Sequence, residues 1–150
     1  MKINTMEKKI KGLEHAFAES VGAYYNINLT KDLVPGFMYQ VIEDKEYSLN
    51  KQMGLSDNAR FTDVVSCWGE KLDSEEQPAY YDFLSIPRLL ECYKRGERHV
   101  FFKYWTRSAI FEPMLAEQHI VMYKDEESGD ILAITYVLDL TKKFNEEKYK

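Results

Sequence analysis

Apolar residues change their spacing three times along this chain, and each change marks a change of element. Met6, Ile10, Leu13 and Phe17 recur at steps of four, three and four, with Asn4 and Glu7 placed as a capping pair and Gly22 as a stop. That spacing predicts a narrow-faced amphipathic helix over residues 1–22. Such a seam packs either on its own domain or on a second copy of itself. From Ala23 the period falls to two: "AYYNINLT" sets Tyr25, Ile27 and Leu29 against Tyr24, Asn26 and Asn28, and "FMYQVIEDKEYSL" follows after "KDLVPG". Two antiparallel strands around a turn fit this pattern. Phe61, Val64, Val65, Trp68 and Leu72 then share a helical face. Ser74 and Gln77 read as a capping box before Pro78, and Pro87 opens a further helix whose face carries Leu89, Leu90 and Tyr93 before Lys94, Arg95 and Gly96 end it. The last third returns to strands: "HVFFKYWTRSA", "MLAEQHIVMYKD" and "DILAITYVLDL", with Gly129 supplying the positive φ of the final hairpin turn.

Five strands interrupted once by a helical patch, without β-α-β alternation, predict an α+β fold: one antiparallel sheet carrying helices on one face. The chain has 150 residues, enough for one domain with a real core, and no Gly/Ser/Pro-rich linker divides it. In strand 5, Leu132, Ile134, Tyr136 and Leu138 alternate with Ala133, Thr135 and Val137, and the bulkier set is expected to meet the core.

Charge and composition narrow the function classes. The net charge of −5 comes with lysines interleaved among glutamates, which disfavours nucleic-acid binding. The sequence has neither an apolar run of transmembrane length nor an uninterrupted apolar signal core, so no membrane insertion is expected and the location is read as cytoplasmic. Cys67 and Cys92 form no C-x-x-C pair, and each is expected to be a reduced, partly buried thiol. Glu117 and His119 share a strand face, giving two metal ligands at most where a site takes three or four, so no metal is expected. Serine hydrolysis lacks a G-x-S-x-G elbow, and neither cysteine has a histidine base nearby in sequence. No catalytic residues are assigned. What remains is a space between sheet and helices, for which Tyr39, Tyr81, Leu90, Tyr104, Ile134 and Tyr136 are the candidate pocket residues, the tyrosines bringing hydroxyl groups to apolar walls.

The element order, together with "YYNINLTKD", "FLSIPRLLECYKRGERHVFFKYW" and "HIVMYKDEESGDILAITYVLDLTKK", resembles PAS domains. It is most similar to the PAS-type sensors that precede GGDEF (diguanylate cyclase) or EAL modules in anaerobic bacteria. The closing hairpin carries the resemblance best, and Asp139-Leu140-Thr141 stands where that family commonly has Asp-Ile-Thr before its signalling helix. "YWTRSAIFEPMLAEQ" departs from the family's Asp-Gly turn and following Trp between strands 3 and 4. The resemblance implies a PAS-like domain over residues 23–142 and the start of a linker or signalling helix at 143–150. It further implies a non-catalytic sensory module that binds a small ligand or a partner and signals through Asp139, Leu140 and Thr141 to a covalently attached C-terminal output domain turning over cyclic di-GMP. No GGDEF or EAL catalytic signature lies within these residues. Cofactors are not expected: Cys67 and Cys92 lie outside any Asn-Cys-Arg-Phe flavin motif, and "IPRLLECYKRG" lacks the histidine that haem-binding PAS sensors place there, with His99 just beyond. A homodimer through residues 4–20 is expected, and the charged tail from Lys142 is expected to be poorly ordered by itself. The rival readings are a ligand-free dimerisation module and a small α+β enzyme with a cone-shaped pocket.

Overall fold

The computed structural model describes residues 21–42, 45–107 and 112–148. The expected helix and dimer seam at residues 4–20, and most of the connection between the third and fourth expected strands, lie outside these residues. Six strands form one antiparallel sheet: β1 (Val21–Asn28), β2 (Tyr39–Ile42), β3 (Lys45–Ser48), β4 (His99–Arg107), β5 (Pro113–Lys124) and β6 (Ile131–Asp139), in the order β3-β2-β1-β6-β5-β4. Between β3 and β4 run four short helices, α1 (Leu49–Met53), α2 (Phe61–Gly69), α3 (Gln77–Phe83) and α4 (Ile86–Lys94), and α5 (Thr141–Lys148) follows β6.

The sheet has one strand more than expected because the second strand segment folds back on itself. Its polar positions break the apolar alternation, and Val41 pairs with Glu46 and Ile42 with Lys45. Helix α1, which the spacing did not predict, is fixed by Asn50. This buried side chain accepts from the Met38 amide at 2.6 Å and donates to the Ser56 carbonyl at 2.9 Å.

The helices α1 to α4 all lie on one face. Their buried residues, Leu49, Phe61, Val64, Tyr80, Phe83 and Leu89 among them, pack with Tyr25, Ile27, Tyr104, Ala116, Ile120, Ala133 and Val137 of the sheet in one core cluster. A second cluster holds strand residues alone: Tyr24, Ile134 and Tyr136, with Tyr39, Val41, Val121, Tyr123 and Leu138 against them. The expected orientation of β6 is therefore reversed, because the small residues Ala133, Thr135 and Val137 face the helices while the bulky ones face away. Small side chains on the inner face let the helical layer sit close to the strands.

Local chemistry fixes the helix ends, though not always as the spacing implied. No side chain at the N-cap position, Arg60, caps α2. Asp32 does so from the β1–β2 connection: Oδ1 accepts from the Thr62 amide at 2.8 Å, and Oδ2 accepts from the Thr62 hydroxyl at 2.7 Å and from Arg60 at 2.9 and 3.2 Å. Asp32 holds a left-handed φ of 53°, a conformation that aspartate and asparagine tolerate better than most side chains. The Ser74–Gln77 capping box does not form. Helix α3 begins at Gln77, whose Nε2 donates to the Gly69 carbonyl at 3.0 Å and so closes the α2–α3 corner.

Candidate functional site

The inner face of the sheet and the helical layer do not meet everywhere. Between them lies a cavity of about 470 Å³, walled by β1, β2, β4, β5 and β6 on one side and by Leu49, Met53, Val64, Trp68 and Tyr80 of α1, α2 and α3 on the other. That volume falls in the range of small-molecule sites, which combine apolar walls with a few placed polar groups.

The polar groups come from alternate positions on the strands. On β4, Tyr104 is 3% exposed and its hydroxyl donates to Gln118 Oε1 at 2.9 Å. Gln118 Nε2 donates to Thr135 Oγ1 at 3.0 Å, and that hydroxyl donates to the His119 carbonyl at 2.7 Å. The chain of bonds runs across β4, β5 and β6 and holds the floor of the cavity rigid. Tyr25 bonds to the same Gln118 side chain. Burial pushes the phenols of Tyr25, Tyr80 and Tyr104 up from their ordinary value; the hydrogen bond to Gln118 offsets part of this at Tyr25, while the neighbouring phenols add to it at Tyr80 and Tyr104. These three hydroxyls thus stay neutral near pH 7, and they offer hydrogen bonds instead of acid–base chemistry.

Two further polar atoms are left without partners among the described residues: Thr106 Oγ1 and Gln40 Oε1, both buried and both on residues that line the cavity. An unpaired buried polar atom costs about 1–3 kcal/mol, and a bound molecule that supplied its partner would relieve that cost. Arg107, Glu112 and Asp139 bring the charged groups to the lining, none of them fully buried.

Asp139 also belongs to the corner between β6 and α5. Its Oδ1 accepts from the Thr141 amide at 2.9 Å, and Thr141 Oγ1 accepts from the Leu115 amide at 3.0 Å while the Leu140 amide donates to the Leu115 carbonyl at 2.8 Å. The first turn of α5 is stitched to β5 by this arrangement. Phe144 then sets its ring edge-on to Trp105, with centroids 5.3 Å apart. The tail that was expected to be poorly ordered is accordingly a helix from Thr141, because the corner supplies its cap and Trp105 supplies an apolar seat.

Of the six candidate pocket residues, Tyr104 alone lines the cavity. Ile134 and Tyr136 lie on the opposite face of β6, and Tyr39 stacks on Tyr24 on that same outer side at 4.8 Å. Tyr81 lies over Gly69, where a Cβ would come within 2.5 Å of its ring, and it leaves the cavity wall to Tyr80. Leu90 packs at the margin of the core while its neighbour Leu89 is fully buried. Tyr39, Tyr81 and Tyr136 each stand one position from a lining residue, Gln40, Tyr80 and Val137, whereas neither neighbour of Ile134 lines the cavity and the helix that carries Leu90 gives it no residue. Gln40, Thr106, Gln118 and Thr135 were not singled out from the sequence; polar residues at inward positions of otherwise apolar strands were the signal for them.

No family model matches the chain, and no curated protein matches it in sequence. Solved structures are similar to it in shape. The N-terminal domain of a diguanylate cyclase with PAS/PAC sensor from Marinobacter aquaeolei aligns at a TM-score of 0.48 and 10% identity, covering 81% of this chain and 97% of that one. A sensory box histidine kinase/response regulator from Burkholderia thailandensis aligns at 0.49 and 12%, covering 92% and 89%. A PAS domain from a two-component sensor histidine kinase aligns at 0.37 and 14%, covering 89% and 98%. At such scores these are likenesses of general shape. The description of this chain stands on its own topology, in which a strand hairpin, a run of short helices and three further strands close one antiparallel sheet with the first long strand beside the last. The fold is PAS-like.

The outer face of this PAS-like sheet carries its own polar cluster. His119 lies flat between two rings, stacked on Tyr136 at 4.7 Å and on Phe101 at 5.0 Å. Its Nε2 lies 2.6 Å from Glu117 Oε1 and its Nδ1 lies 2.8 Å from His99 Nε2. Lys103 Nζ stands 3.8 Å from the other Glu117 oxygen. Among the described residues no three histidine, cysteine or acidic groups converge as a metal cage, and Cys67 and Cys92 are free thiols, Cys92 buried and Cys67 half-buried. No helix among the described residues is long and apolar enough to cross a membrane.

Proposed function

We propose that this chain is a non-catalytic PAS-like input module that takes a small molecule into the inner cavity and transmits the change through the β6–α5 corner. The observation that carries the reading is the double place of Asp139, which lines the cavity and also holds the first turn of α5. A molecule that satisfies Thr106 and Gln40 shifts the balance between two arrangements of that corner only as far as it binds one better than the other. The reading extends to a covalent C-terminal output domain for cyclic di-GMP turnover, to a cytoplasmic location, and to a homodimer through residues 4–20, which sedimentation of the full chain against one starting at Val21 tests.

The test of the ligand site is native mass spectrometry of freshly purified protein, combined with amide hydrogen exchange at Leu115 and Leu140. A retained non-covalent mass is expected. It should vanish in Val137→Trp, which fills the cavity from β6, and exchange at Leu140 should change with its loss. A chain that carries no added mass, and whose Leu140 exchange is the same in Val137→Trp, overturns the reading.

A further inference from the structure

Two of the three histidines in the chain meet on the outer face of the sheet, where the cavity plays no part. Strand pairing brings them together: His119 of β5 stands opposite Phe101 of β4, which puts His99 on the diagonal of the same face. His119 is the more constrained of the two. Its ring is clamped between Phe101 and Tyr136, and Glu117 takes its Nε2 hydrogen at 2.6 Å. A carboxylate can only accept at neutral pH, so the Nε2–H tautomer is enforced and Nδ1 is left as the basic nitrogen. That is the state in which a metal-ligating histidine is held, one nitrogen toward the ion and the other donating to an outer carboxylate.

We propose that His99 Nε2 and His119 Nδ1 form a two-nitrogen site for a borderline divalent transition ion of the zinc, nickel or copper class, with Glu117 as the outer carboxylate that orients His119. Imidazole suits these ions, and the small hard cations prefer oxygen. The nitrogens now stand 2.8 Å apart around one shared hydrogen. Two ligands at zinc distances on a tetrahedron stand about 3.3 Å apart with both nitrogens turned toward the ion, so with His119 fixed the His99 nitrogen must swing aside by about 2 Å. His99 is exposed and belongs to the edge strand β4, which leaves it free to make that move while His119 stays fixed. His99 then carries its hydrogen on Nδ1, and a neutral pair need release no proton. The remaining coordination positions open to solvent, for water or for a donor brought by another molecule. The bound ion clamps β4 to β5 beside Tyr136 of β6.

The test is calorimetric titration of the untagged, chelator-treated protein with zinc chloride and, separately, nickel chloride. One equivalent is expected to bind. His99→Ala and His119→Ala should each abolish it, Glu117→Gln should weaken it about 10–100-fold by losing the orienting acceptor, and His15→Ala should leave it unchanged. Because His99 is exposed, its alanine variant is expected to keep the wild-type circular dichroism spectrum, and a shift of both imidazole nitrogens on nickel or zinc addition, read by nitrogen NMR, gives a second measurement. The absence of saturable binding, or binding that survives His99→Ala undiminished, overturns the proposal. The cavity reading is unaffected by either result.

Discussion

Strand β6 shows two ways of burying a strand side by side. Toward the helices it presents Ala133, Thr135 and Val137; away from them it presents Ile134 and Tyr136. The inner face is covered by other elements, so its side chains on β6 can be small, and Val137 among them also lines the cavity. The described helices α1 to α4 leave the outer face alone, and its strands carry large rings that stack on one another, Tyr24 on Tyr39 and Phe101 and Tyr136 on His119. The inner face gains stability from enclosure by helices. On the outer face the contribution comes from ring-on-ring contact between neighbouring strands, worth about 0.5–1.5 kcal/mol per aromatic pair beyond area burial.

The comparison breaks most visibly under truncation. Ile120→Ala, on the inner face at 0% exposure, is expected to cost about 2–5 kcal/mol in chemical denaturation. Phe101→Ala, on the outer face at 58% exposure, should cost less despite its larger side chain, about 0.5–1.5 kcal/mol for the loss of its stack on His119. Equal costs would mean that the outer face is enclosed as tightly as the inner one.

The next effect concerns the latch of the helical layer. Partial burial pushes the Asp32 carboxyl up, but bonds from the Thr62 side chain and amide, together with Arg60, outweigh it and hold the group below its ordinary value. A carboxyl depressed in the folded state stabilises it above its unfolded value of about 3.9, and this contribution disappears as pH falls through the lower folded value. Asp32→Asn keeps the residue's tolerance of a left-handed φ. It is expected to cost about 0.5–2 kcal/mol at pH 7, in line with loss of a helix cap. The gap from wild type should close on acidification below the folded value, and a gap that persists there would assign the latch to packing.

The smallest effect has the opposite sign. Thr106→Val removes a buried hydroxyl that has no partner among the described residues and keeps the side-chain shape, so the ligand-free protein should gain about 1 kcal/mol, seen as a higher denaturant midpoint. A loss would show that the hydroxyl is already satisfied.

The fold was largely legible in the sequence, and the site largely was not. Period changes at Ala23 and Gly96 separated the strands from the helical patch, and Gly129 takes the turn φ that was expected of it, at 78°. Those signals are local. The site depends on phase, and phase is poorly determined where a strand is buried on both faces. The segment "ILAITYVL" has no charged residue to mark a solvent side, and choosing the bulkier face as the core put Ile134 and Tyr136 in place of Val137 and Asp139. The same one-residue slip separates Tyr39 from Gln40 and Tyr81 from Tyr80. Asp32 escaped for a different reason, since a cap supplied across 30 positions has no local spacing to betray it. Asp139-Leu140-Thr141 was singled out by its resemblance to the PAS pattern, and these three residues lie where β6 passes into α5, with Asp139 accepting from the Thr141 amide.

A helix pinned at one end behaves as a pointer. The pin is Leu115, whose amide and carbonyl are both engaged by the first residues past β6. Eight residues of helix span about 12 Å, so a tilt of about 10° at the pin displaces the far tip by about 2 Å. That is well over the slack of a close-packed contact, in which about 1 Å of separation already forfeits up to half of the attraction. A strand shift too small to disturb the sheet's own pairing would therefore arrive at the far end of α5 as a displacement of about 2 Å.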